Sequence, residues 1–171
     1  MRSAERAGSQ VMIAGVGYPF LRDLSLGPVL VPCLQALDWP PEVEFDDWSF
    51  NPIAIVQRLE ERAQPYAQII LLAAVERGRQ PGQVTCYHWN GELPDAEVIQ
   101  QSVGEAVMGV ISLDNLLTIC GHFGVFPPCV TVIEVEPEDT EWGNGLTDRI
   151  KMAVSTVVTT IRHAIKEANH G

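Results

Sequence analysis

From Ile69 to Val75 the chain reads Ile-Ile-Leu-Leu-Ala-Ala-Val, without one polar side chain. The run is too short to cross a bilayer, which takes about 20 apolar residues. It has the length of a strand, and because both alternating faces are apolar, it must be a central strand covered on both sides. A chain with such a strand needs helices above and below a sheet. The remaining sequence supplies them.

Val11 to Val16 is a second apolar run, ending in the turn Gly15-Val16-Gly17. Val43 to Trp48, Val84 to Trp89 and Val130 to Val135 complete a set of five expected strands. Between them lie segments of helical period. Pro28 to Leu37 spaces Val29, Leu30, Cys33, Leu34 and Leu37 along one face, with Pro28 suited to the first turn. Asn51-Pro52 opens a helix through Ile53, Val56 and Leu59 to about Ala63, its other face solvated by Arg58, Glu60, Glu61 and Arg62. Pro94 to Gly109 is expected to hold a loop and a short helical piece. Ser112 caps a helix that stops at Gly121 or Gly124, and Thr147 caps a long final helix with Ile150, Val157, Ile161 and Ile165 inward. Strands alternating with helices predict an α/β chain: a three-layer α/β/α sandwich around a mixed, mostly parallel five-stranded sheet. Residues 1–171 are expected to form one domain, with 1–10 and 167–171 as flexible tails.

Charge and cysteine content narrow the function classes. Eleven lysines and arginines face 22 acidic residues, for a net charge of −11. A phosphate backbone would be repelled, and the one dense basic stretch, Arg77 to Arg79, is short and adjoins Glu76, so nucleic acid is not an expected partner. No apolar signal segment opens the chain and no run spans a membrane, so the expected location is the cytoplasm. Cys33, Cys86, Cys120 and Cys129 form no CxxC pair, which excludes a zinc knuckle or a thioredoxin-type motif. Gly15-Val16-Gly17 lacks the third glycine of a dinucleotide fingerprint, and no glycine-flanked serine suggests a Ser-His-Asp order. Cys86 and His88 are two apart on one strand and face one side. They form a conceivable nucleophilic pair, but the preferred reading is the ordinary one, a packed or edge-exposed strand.

The order of these elements and their punctuation resemble the hydrogenase maturation endopeptidases. Those enzymes remove a C-terminal peptide from the large subunit of nickel–iron hydrogenases once nickel is in place. Three stretches carry the resemblance, which spans about Val11 to Ile165. Gly15-Val16-Gly17 with Asp23 and Gly27 is similar to the opening Gly-x-Gly-Asn and acidic segment. Ala73-Ala74-Val75 with Gly78 and Pro81-Gly82 is similar to an Asp-Ala-Val, glycine and Pro-Gly run. Glu136-Pro137, Glu141-Trp142-Gly143 and Gly145-Leu146-Thr147 resemble the segment before the last helix. The implied fold is a mixed five-stranded sheet between helices, with ligands collecting at the carboxyl ends of strands.

The resemblance also implies a nickel site of three side chains: an acidic residue after the opening motif, the aspartate of Asp-Ala-Val, and a histidine beginning the helix after the fourth strand. Here those positions are Leu24, Ala73 and Asp114, and the motif's asparagine is Tyr18. Leucine and alanine cannot donate to a metal, so no cofactor is expected. A displaced site built from Asp23, Glu76 and Asp114 would be all-oxygen and suit a hard divalent cation better than nickel. Gly15, Gly17, Tyr18, Asp46, Asp47 and Trp48 are expected at a cleft or partner surface. The expected function is that of a non-catalytic relative in binding or assembly, with a protein partner and a hydrogenase large subunit as first candidate. An active nickel-dependent endopeptidase with a displaced site is one alternative. A structural subunit of an unrelated complex is the other, displaying an apolar patch at Trp39-Pro40-Pro41, Trp48 or Phe123 to Pro128.

Overall fold

The structure, a computed structural model, describes residues 10–170. Strands β1 (Val11–Gly15), β2 (Val43–Asp47), β3 (Gln68–Ala74), β4 (Val84–His88) and β5 (Cys129–Val135) form one sheet in the order β2-β1-β3-β5-β4. The first four in that order run parallel, and β4 pairs antiparallel with β5. The apolar run that defined the problem is the central strand β3, buried at every position. Five helices follow in chain order: α1 (Leu26–Gln35), α2 (Pro52–Glu61), α3 (Ala96–Val107), α4 (Leu113–His122) and α5 (Asp148–Ala168).

The period-two alternation of the strands divides the core into two. Met12, Ala14, Ile69, Leu71, Ala73, Val130 and Val132 point to one face, where α2, α3 and α4 bring Ile55, Ala106, Leu116 and Ile119. Val11, Ile13, Ile70, Leu72, Ile133 and Val135 point to the other, against Leu30 and Leu34 of α1 and Ile150, Val157 and Ile161 of α5. Fully burying one such branched side chain stabilises the fold by about 1.5–3 kcal/mol. The result is the expected three-layer sandwich. No helix among the described residues is long and apolar enough to cross a membrane.

The strands lie within one residue of their expected bounds; the helices depart more. The piece expected between Pro94 and Gly109 is a full helix, α3, whose cap Asp95 accepts the Val98 N–H at 3.1 Å. Asn51 and Ser112 cap α2 and α4 as expected, accepting from Ile53 at 2.9 Å and Asn115 at 3.1 Å. Thr147 holds the cap position of α5 but its side chain does not cap; the hydroxyl turns instead to Asp23. A 3-10 turn at Arg22–Ser25 precedes α1, which begins at Leu26, two residues before Pro28. Helix α5 continues through Ala168, past the start of the expected C-terminal tail. Residues 1–9 of the other expected tail lie outside the described residues.

Trp48, expected in an exposed apolar patch, is 3 % exposed. Its indole N–H reaches the Asp46 carboxylate at 3.0 Å, and its ring fills the core under β1. β2 is an edge strand, paired only with β1.

Candidate functional site

The cleft forms where β1 and β3 end. Three glycines shape its wall by close approach of backbone to backbone. A Cβ on Gly15 would lie 2.5 Å from the Gly27 oxygen, and one on Gly27 would lie 2.3 Å from the Val16 nitrogen. A Cβ on Gly17 would meet the Leu24 oxygen at 2.1 Å. Only hydrogen fits at such contacts. They press the start of α1 against the end of β1, and the Tyr18 N–H donates to the Leu24 oxygen at 2.9 Å. Leu24 is thereby aimed into a cavity of about 240 Å³ that it shares with Tyr18, Ala73, Glu76, Arg77 and Asp114. Val16, Val75, Ile111 and Leu113 make most of the rest of its lining apolar. The Tyr18 hydroxyl accepts the Ile111 N–H at 2.9 Å, tying the end of β1 to the loop before α4.

The three positions that the resemblance assigns to nickel, Leu24, Ala73 and Asp114, thus meet in one cavity. Their chemistry does not fit the ion. Two are hydrocarbon, and the third is already engaged. Arg77 holds Asp114 with two parallel hydrogen bonds, Nη1 to Oδ2 at 2.9 Å and Nη2 to Oδ1 at 2.7 Å. Such a forked pairing is the strong form of an arginine–carboxylate contact. The same guanidinium reaches Glu134, Nη2 to Oε1 at 2.8 Å. Glu134 sits beside Ala73 in the register of β3 and β5, and its side chain is 1 % exposed.

A buried carboxylate in an apolar strand must be neutralised or hydrogen-bonded. Glu134 is both: Arg79 Nη1 donates to Oε2 at 2.8 Å and the Tyr87 hydroxyl to Oε1 at 3.1 Å. Burial alone would push its carboxyl up, but the Arg77 and Arg79 hydrogen bonds outweigh burial and hold it below the ordinary range. Tyr87 is pushed up to about 12, by burial first and then by the Glu134 charge. The hydrogen bonds that Arg77 donates to Asp114 and Glu134 raise it further above its ordinary value. Glu136 fixes the backbone below this side chain, accepting the Arg77 N–H at 2.9 Å and the Gly78 N–H at 3.1 Å.

The substitute oxygen set is not brought together. Asp23 is fully buried and is not among the residues lining the cavity. Its carboxylate accepts the N–H groups of Glu138 and Asp139, each at 2.9 Å, and of Thr147 at 2.8 Å, with the Thr147 hydroxyl at 2.9 Å. Glu76 lines the cavity and accepts the Thr140 hydroxyl at 3.1 Å. Among the described residues, no three His, Cys, Asp or Glu side chains are placed to hold a metal ion.

Of the other expected surface residues, Gly17 and Tyr18 line the cavity and Gly15 buttresses it. Asp46, Asp47 and Trp48 do not line it. Asp46 pairs with Arg58 at 3.1 Å, and Asp47 accepts the Ser49 N–H at 2.9 Å, which shapes the turn after β2. Cys86 and His88 lie across the sheet, in a groove between β4 and α5. Burial and the Glu167 charge push the Cys86 thiol up, which disfavours a thiolate. His88 Nδ1 pairs with the Thr131 hydroxyl at 3.3 Å, and no hydrogen bond joins it to Cys86 among the described residues.

Sequence reasoning missed Arg77 and Glu134. The signal for the second was a single acidic residue inside the apolar strand Val130 to Val135; that signal also demands a buried cation, and Arg77 and Arg79 were the nearest cations at a strand end.

No protein-family model and no curated protein matches this chain. Solved structures do. One is the hydrogenase 2 maturation peptidase from Thaumarchaeota archaeon SCGC_AB-539-E09, at 25 % identity over 92 % of this chain and 98 % of that one, with a TM-score of 0.63. Another is the hydrogenase maturating endopeptidase HybD from E. coli, at 21 % identity over 93 % of each chain and a TM-score of 0.69. A third is the NiFe hydrogenase maturation protease HycI from Thermococcus kodakarensis KOD1, at 16 % identity over 92 % of this chain and 93 % of that one, with a TM-score of 0.56. Over more than nine-tenths of its length, this chain thus has the fold of the hydrogenase maturation endopeptidases.

Proposed function

We propose that this protein is a non-catalytic relative of those endopeptidases, one that binds a partner polypeptide without cutting it. One observation carries the reading. Where the resemblance calls for three metal donors, the cleft offers the hydrocarbon of Leu24 and Ala73 and a carboxylate whose two oxygens are held by Arg77. An imidazole or carboxylate can hold nickel; an alkyl group cannot. The glycine contacts that shape the cleft are meanwhile intact, as expected if shape is used and metal chemistry is not.

The partner is a protein, with a hydrogenase large subunit as first candidate, and the place of action is the cytoplasm. An exposed pair of tilted aromatic rings supports a protein-facing role. Phe20 and Trp142 lie 5.7 Å apart and are 55 % and 77 % exposed, on the loops that follow Tyr18 and Glu136. Aromatic side chains of this kind are enriched at the centres of interfaces.

The test uses the pure protein and a nickel-loaded large-subunit precursor. The expected result is a stable complex in which the precursor keeps its full mass. Trimming of the precursor's C-terminus by the pure protein would overturn the proposal and favour an active endopeptidase.

A further inference from the structure

The walls of the cleft are shaped to hold carbon. We infer that it receives one bulky aliphatic side chain of an extended partner segment, with a lysine or arginine close by in that segment set against Glu76. The inference rests on the reading above in taking the cleft as a surface that binds a polypeptide, and it adds the chemistry of the segment bound.

Val16, Leu24, Ala73, Val75 and Ile111 give the cavity of about 240 Å³ walls of hydrocarbon. Water in such a space finds few hydrogen-bond partners, so an alkyl group that displaces it is favoured twice, by its own departure from solvent and by the water's release. The apolar surface continues on both loops that border the cavity. Val107 and Met108 are 71 % and 83 % exposed, at the end of α3 and just beyond it, and Val110 is exposed beside Ile111. Phe20 and Trp142 stand on the other side of the bond between the Tyr18 hydroxyl and the Ile111 N–H, and the Gly143 N–H ties them together by donating to the Phe20 oxygen at 2.8 Å. Exposed apolar side chains grouped around an apolar cavity mark a surface that a polypeptide covers.

Charge decides what accompanies the alkyl group. The charged side chains lining the cavity are Glu76, Arg77 and Asp114, a balance of −1 from one cation and two anions. Arg77 is shared between Asp114 and Glu134, which leaves it little attraction for a carboxylate from outside. Glu76 is exposed and, among the described residues, pairs with no cation; it meets only the neutral Thr140 hydroxyl. Glu141, next to Trp142, is exposed and without an ion pair in the same way. A cation on the partner therefore finds a carboxylate free to meet it. An acidic segment would face Glu76 and Asp114 at close range and a chain of net charge −11 on approach. The same charge argues against a second copy of this chain as the occupant.

A bead library of random heptapeptides with blocked termini, probed with the labelled full chain, tests the inference. Retained beads are expected to be enriched in Leu, Ile, Val or Met within two positions of Lys or Arg. In the tightest peptide, changing the aliphatic residue to alanine or the basic one to glutamate is expected to weaken binding by about tenfold. Leu24→Asp should lose the aliphatic preference, and Glu76→Lys should turn the basic preference into an acidic one. Glu60→Lys makes the same change in net charge at the far end of α2 and should leave both preferences as they are. Should Leu24→Asp fail to fold, Glu76→Lys, altered at an exposed side chain, carries the comparison. Enrichment of another class of peptide, no enrichment, or a basic preference that survives Glu76→Lys overturns the inference, as does a dimer of the full chain that Glu76→Lys or Leu24→Asp dissociates. The cleavage assay fails separately: trimming of the precursor would leave the peptide preference standing, and an intact precursor would not rescue a missing one.

Discussion

Asp23 is a fully buried acid that ties down a distant loop, and replacing it gives a sharp prediction. Its carboxylate satisfies three backbone N–H groups, of Glu138, Asp139 and Thr147, and the Thr147 hydroxyl, all within 2.9 Å. Those donors belong to the segment between β5 and α5. Asp23→Ala removes every acceptor at once. Each buried donor left unpaired costs about 1–3 kcal/mol. Water entering the space of the lost carboxylate recovers part of that, which leaves a net loss of about 2–4 kcal/mol. In a domain of this size each kcal/mol moves the melting temperature by about 2–4 °C, so the expected drop is on the order of 5–15 °C. Asp23→Asn should recover little, because an amide presents one N–H side to donors where the acid presented only oxygen. The assay is urea unfolding of wild type and both variants, with proteolysis of the segment 137–146 as a local readout. Divalent cations should change none of these values. A loss below about 1 kcal/mol for Asp23→Ala, or a loss that added metal restores, would refute the reasoning.

Two further outcomes follow from the cleft. Gly27→Ala places a Cβ 2.3 Å from the Val16 nitrogen, backbone against backbone with no side chain to yield; a loss of about 3 kcal/mol is expected by denaturant unfolding, and unchanged stability would contradict the close approach. Glu134 has a folded value below its unfolded one, so its stabilising contribution is present above the unfolded carboxylate value of about 4.3 and is lost as pH falls through the folded value. The stability gap between wild type and Glu134→Gln should therefore be widest near neutrality and close on acidification. A gap constant from neutral pH down to pH 3 would show that the charge is not what Glu134 contributes.

What the sequence made legible was whatever depends on near neighbours. The all-apolar β3, the asparagine–proline start of α2 and the serine before α4 each have a local cause, and each lies in the structure where that cause puts it. Thr147 shows where local reasoning stops. It has the chemistry of a cap and sits at the cap position, yet a carboxylate 124 residues earlier takes its hydroxyl. The cleft divides in the same way. Leu24, Ala73 and Asp114 could be placed together because the resemblance assigns them to one site, at the strand ends where such a sheet gathers its ligands. The arginine among them could not be found by spacing, since its carboxylate partners lie 37 and 57 residues away. In sequence Arg77 is one charge in a short polar turn, and only the register of β3 with β5 sets Glu134 beside it.

The outer strand β2 has a bearing on how the protein behaves in concentrated solution. Its free edge offers unpaired backbone groups to any second copy, an invitation to stack into larger sheets. Glu44, Asp46 and Asp47 lie along that strand. Two copies approaching rim to rim would bring these carboxylates against one another, and at neutral pH that repulsion works against stacking. Changing Asp46 and Asp47 to asparagine removes part of that repulsion, so turbidity that sets in at a lower protein concentration in that variant is the colloidal signature of this strand.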